Sequence, residues 1–173
     1  MVSGETHFVE GRRCRLKVVF HDGAAKVEWH KGRGLVLSVR RELSSEQRLR
    51  VLERWYRAKL RAQIADLVGR WSRKLALQPP EYGIKKMKTR LGSCSPPNRK
   101  IWINLELAKK PVQCLEFIVV HELIHLIERR HNARFVGIMD QALPDWRHRR
   151  DILNKAPLTD DHEKGRELCS SNR

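Results

Sequence analysis

Between Phe117 and Ile127 every residue is apolar except His121, Glu122 and His125, and these three polar exceptions constrain the chain more than any other stretch. Two imidazoles and a carboxylate in such surroundings carry a heavy desolvation cost unless something pairs with them. The spacing is H-E-x-x-H. On a helix, residues four apart share a face, so His121 and His125 can grip one divalent cation. Glu122 then lies beside that cation, where a general base for a water molecule belongs. The run therefore predicts a buried helix that carries a metal site.

A third ligand is available in His131, six residues after His125. In an unbroken helix His131 would lie about 15 Å along the axis from His121, so the chain must turn after about Glu128 for His131 to reach the metal. Neither Gly nor Pro forces that turn. Asn132 is the local signal, since it tolerates left-handed geometry or caps a following helix. Arg129 and Arg130 suit a helix C-terminus electrostatically. Glu128 competes as a ligand because it shares the face of His121 and His125, but it sits a full turn or more beyond the metal and ranks second. The histidine spacing matches that of metzincins. Glu128, however, replaces their glycine, and Met139 follows His131 too closely to form their Met-turn.

The flanking sequence predicts an α+β order. Cys14, Leu16, Val18 and Phe20 alternate with Arg13, Arg15 and Lys17, and further strands fall at Val27–Trp29 and Leu35–Val39 around the turns at His21–Gly23 and Gly32–Gly34. Ser44 and Gln47 resemble a capping box that opens a long helix, which Pro79-Pro80 ends. Strands follow at Gly83–Arg90 and Lys100–Leu105. Pro111 starts the metal helix, then come helices at Ala133–Leu143 and Asp145–Asn154. The chain divides into an N-terminal β segment over 1–43, a core over 44–155 and a polar tail over 156–173 expected to be disordered.

Composition sets the setting. The 173 residues contain 36 basic and 20 acidic side chains, a formal charge of +16. That surplus can be carried by a solvated surface, or it can serve an anionic partner such as a nucleotide or nucleic acid. Along the sequence, aromatics do not interleave with the basic clusters as in single-strand binders. No apolar run approaches a membrane span, and Met1–Glu10 lacks a signal-peptide pattern. Cys14, Cys94, Cys114 and Cys169 form no C-x-x-C pair, which argues against a zinc ribbon or a disulfide framework and for a cytoplasmic location. Oligomeric state is not legible.

Three separated motifs occur in order: Met87–Ser95 (M-K-T-R-L-G-S-C-S), Ile101–Leu105, and Val119–His131 with Phe135. Together with Trp55-Tyr56-Arg57 they resemble the YgjP-like family of predicted zinc-dependent metallohydrolases, relatives of the SprT and WLM metallopeptidases. The resemblance covers about residues 50–155. Leu91, Arg130 and Val136 stand where the family pattern has Trp, Asn and Trp. The chain also begins close to the point where the family has further β structure, so it is expected to be short at its N-terminus, with an exposed sheet edge.

The resemblance implies a zincin-like metallopeptidase core with a mostly antiparallel sheet, a long N-terminal helix and an H-E-x-x-H helix. It assigns His121, His125 and His131 as Zn2+ ligands and Glu122 as the catalytic glutamate. Three imidazoles leave a fourth tetrahedral position for water, whose proton Glu122 would accept as it attacks a peptide carbonyl. The segment Lys85–Arg90 is expected to border the cleft and offer its edge to an extended peptide. Arg90, Ser93 and Cys94 are candidate substrate-binding residues. The competing reading is a structural turn in which Gly92 supplies backbone freedom and Ser93 and Cys94 pack near the H-E-x-x-H helix. Two alternatives remain open: a metal-dependent nucleotide phosphohydrolase using Lys85, Lys86, Lys88 and Arg90, and a non-enzymatic nucleic-acid-associated protein with structural zinc.

Overall fold

The computed structural model describes residues 2–32 and 34–155. The predicted disordered tail at 156–173 and Cys169 lie outside the described residues. Four strands form the first sheet: β1 (Thr6–Val9), β2 (Arg12–Phe20), β3 (Lys26–His30) and β4 (Gly34–Val39), in spatial order β1-β2-β4-β3. The predicted alternation appears in β2, where Cys14 and Leu16 face inward, and in β4, where Leu35, Leu37 and Val39 do. Glu10 and Gly11, both at positive φ (50° and 77°), make the tight turn between β1 and β2.

The long helix α1 (Ser45–Lys74, 30 residues) opens with the expected capping box: Gln47 N donates to Ser44 Oγ, and Ser44 N donates to Gln47 Oε1. Its buried stripe includes Leu52, Tyr56, Leu60, Ile64, Leu67, Val68 and Trp71, whereas Leu49 is exposed. The helix stops before Pro79-Pro80. Ala76 adopts φ 51° and Leu77 N donates to Ser72 O, a left-handed C-terminal turn that ends the helix without proline. Tyr56 Oη donates to Phe8 O, and Glu10 accepts from Gln63 and pairs with Lys59, so α1 is fastened to the first sheet.

A second sheet contains β5 (Glu81–Lys85), β6 (Gly92–Ser95) and β7 (Lys100–Asn104) in order β5-β7-β6. A short 3-10 helix (Leu105–Lys109) leads to α2 (Val112–Ile124), α3 (Ala133–Ala142) and α4 (Trp146–Lys155). One contiguous core joins the first sheet, α1, the second sheet and α2, with Phe117, Leu115 and Leu123 of α2 fully buried near its middle.

The expected mostly antiparallel sheet is, among the described residues, two sheets that are each mixed: β1–β2, β3–β4 and β6–β7 are antiparallel, but β2 runs parallel to β4 and β5 parallel to β7. In both sheets a third strand inserts between two that precede it in sequence (β2-β4-β3 and β5-β7-β6). Alternation of side chains is the same whichever way the neighbouring strand runs, so the pattern could not reveal this. The predicted strand Gly83–Arg90 is corrected. β5 ends at Lys85, because the buried Asn104 amide donates to Met87 O and Arg90 O and draws the 86–91 backbone out of the ladder.

Candidate metal centre

Helix α2 ends at the second histidine. His125 is its C-cap, and Leu126 N, Ile127 N and Glu128 N bond to Leu123 O, Ile124 O and Ile124 O, closing the last turn tightly. The chain then reverses. Glu128 Oε1 accepts from Arg130 N, Asn132 N donates to Arg130 O, and Asn132 Oδ1 accepts from Phe135 N as the N-cap of α3. Of the two roles open to Asn132, capping is the one used. Glu128, the second-ranked ligand, braces the turn instead and also pairs with Arg134.

The reversal brings His131 back to α2. One nitrogen from each of His121, His125 and His131 lies within 4.8 Å of the others, with His121 Nε2 and His131 Nε2 2.9 Å apart. Two ligands on a tetrahedral ion at about 2.0–2.1 Å would be separated by roughly 3.3 Å, so small side-chain adjustments admit a metal. His125 Nδ1 lies 3.1 Å from Glu128 O, which fixes the ring and leaves Nε2 for the metal. Burial, then the neighbouring His121 charge, lowers the His125 pKa; burial, then His121 and His125, lowers that of His131. Both imidazoles are thus kept neutral near pH 7, the form that binds metal. An all-imidazole set suits zinc and neighbouring transition metals.

Phe135 of α3 packs against all three imidazoles, at ring-centroid distances of 5.1, 4.8 and 4.7 Å to His121, His125 and His131. Sequence reasoning gave it no role at the site, although it belongs to the quoted motif.

Glu122 is 4 % exposed and faces the second sheet. A Cβ on Gly92 would sit 2.5 Å from Glu122 Oε1 and 2.8 Å from Ile118 Cγ2, so only glycine lets β6 approach α2 this closely. Gly92 is thus needed for close approach rather than for backbone freedom. The strand at the metal helix is β6, not Lys85–Arg90, and β6 is the edge of its sheet.

The remaining sequence candidates separate. Cys94 lies on the Gly92 side of β6. Burial, then the Glu122 charge, pushes its thiol up to about 11, which disfavours the nucleophilic thiolate. Ser93 alternates to the opposite face, across from Trp102. Arg90 is an exposed loop residue whose carbonyl accepts from Asn104.

A family model for the YgjP-like metallopeptidase domain matches residues 1–156. The chain belongs to the YgjP-like family. The motifs at Met87–Ser95, Ile101–Leu105 and Val119–His131 all fall within that match, and in the fold Gly92 of the first meets Glu122 of the last. Among solved structures, the metallopeptidase zymogen of Pyrococcus abyssi abylysin is similar, with 22% identity and a TM-score of 0.47 over 51% of this chain and 87% of that one. No curated protein sequence matches the YgjP-like chain. Among the described residues no helix is long and apolar enough to cross a membrane.

Proposed function

We propose that the chain is a zinc-dependent peptidase in which Glu122 is the general base. The observation that carries this reading is the meeting of three imidazole nitrogens within 4.8 Å beside a buried carboxylate held against an edge strand. Zinc bound there would polarise a peptide carbonyl and lower the pKa of a water toward neutrality. The Glu122 carboxylate accepts that water's proton and returns it to the leaving amine. The unpaired edge of β6 holds an extended peptide by main-chain hydrogen bonds, setting its carbonyl across from Glu122.

Phosphoester hydrolysis is less well supported. Of the cations it would use, Lys86 is ion-paired with Glu53 and Lys85 lies over the Trp102 ring on another face. Glu122→Gln tests the proposal. The variant should retain wild-type zinc and lose turnover by about 100-fold or more when screened with the wild type against peptide libraries. Equal turnover in the two proteins would exclude Glu122 as the base. Selective turnover of nucleoside triphosphates would move the assignment to the phosphohydrolase.

A further inference from the structure

The open face of the second sheet carries an aromatic platform that the metal centre does not use. Across it run Gly83, Trp102 and Ser93 in one row, and Glu81, Lys100 and Ser95 in the next. Ile101 and Ile103 point the other way and are fully buried, whereas Trp102 is only half-buried. A Cβ at Gly83 would come within 2.3 Å of the Trp102 ring, so the indole lies over bare backbone. Lys85 Nζ and Lys100 Nζ stand 4.3 and 4.9 Å from its ring centroid. Ser93 and Ser95 place only small side chains on this face of β6. Glu81 is the single acid in these rows, 3.2 Å from Lys100 Nζ.

We propose that this face binds single-stranded nucleic acid, with an unpaired base stacked on Trp102 and flanking phosphates drawn to Lys85 and Lys100. Stacking on an aromatic side chain flanked by cations is how strands are held without sequence readout. Both ammonium groups lie over the ring where a base would stack, so binding swings them aside and exchanges each ring contact for an ion pair with a flanking phosphate. The net charge of +16 makes a polyanion the complementary occupant. A paired base cannot reach a ring seated on the sheet, so duplex is disfavoured. Lys100 shares β7 with Trp102, whereas Lys85 is far from it in sequence and is brought beside it only by the pairing of β5 with β7.

The test is fluorescence anisotropy of a labelled oligodeoxythymidylate titrated with the full chain. Trp102→Leu should weaken binding about tenfold or more, and Trp102→Phe should retain most of it. Lys85→Ala/Lys100→Ala should flatten the log Kd against log salt slope by about 1.4, at about 0.7 per phosphate contact on a single strand. The comparison is Arg54→Ala/Arg61→Ala, which removes the same charge from exposed positions on α1 and should cost much less affinity. Equal losses in the two double variants would reduce binding to net charge and overturn the proposal, as would wild-type affinity in Trp102→Leu. Polyglutamate bound with the same dependence on Trp102 would overturn it in favour of an acidic protein partner. If Trp102→Leu fails to fold by circular dichroism, the Phe and lysine variants still decide.

Discussion

A methyl group at position 92 would crowd the Glu122 carboxylate and the Ile118 side chain at once, so Gly92→Ala tests positioning of the proposed base without touching it. Displacing a catalytic group by about 1 Å can cost up to about 100-fold in rate. The expected result is a large fall in kcat on a cleaved peptide with full zinc content, since none of the three histidines lies on β6; unchanged kcat would show that Glu122 has room to move. Asn104 is the other residue with an outsized role. Its amide holds two loop carbonyls while its oxygen caps the 3-10 helix at Glu106 N. Asn104→Ala should lower unfolding free energy by about 2 kcal/mol in urea titrations, the scale for stranding buried polar partners.

At the scale of elements, the site depends on a reversal between α2 and α3 that contains neither Gly nor Pro. Asn132 caps α3 one residue after His131, so the cap and the third ligand are set together. Asn132→Ala should cost about 1 kcal/mol of helix stability and weaken zinc about fivefold, read by competition with a chromophoric chelator. Zinc affinity equal to wild type would mean that Glu128 and Phe135 hold the turn alone. A second joint ties α1, α2 and α4: Glu116 accepts from Trp71 Nε1 at 2.9 Å and from Arg149 at 2.6 Å, with Arg70 beside it. Burial alone would raise the Glu116 pKa, but the hydrogen bonds from Arg149 and Trp71 and the charges of Arg149 and Arg70 outweigh it and hold it below its usual 4.5. A depressed carboxyl pKa contributes stability above the unfolded value and loses it as pH falls through the folded one. Glu116→Gln should therefore melt below wild type at pH 7, with the gap narrowing below about pH 4.5. A gap independent of pH would assign the effect to packing.

Taken whole, the molecule wraps one core around α2, and both faces of the second sheet carry chemistry: one toward the metal centre, the other around Trp102. Metal binding to the folded state alone should couple the site to global stability. At free zinc 100-fold above Kd the gain is about 2.7 kcal/mol, so chelation should lower Tm and added zinc restore it. A Tm indifferent to zinc would show that the three-histidine site does not bind it.

The helix that carries His121 and His125, the capping box at Ser44 and the alternation in β2 and β4 were all legible in the chain. Each rests on local rules: periodicity, capping and the cost of burying charge. Strand direction, the departure of 86–91 from the sheet and the identity of the strand beside Glu122 were decided only by tertiary contacts, while α1 ends early on a local left-handed turn at Ala76 that no Gly or Pro announces. Alternation is blind to parallel or antiparallel pairing, and Asn104, Gly92 and Phe135 act through neighbours remote in sequence. Residue chemistry determined that a metal could bind, because His121, His125 and Glu122 fall in an apolar helical run where burying them needs compensation. Which strand faces that metal, and which face of the sheet gathers Trp102 with its lysines, depended on the order β5-β7-β6, because proximity across a sheet is fixed by strand pairing and not by distance along the chain.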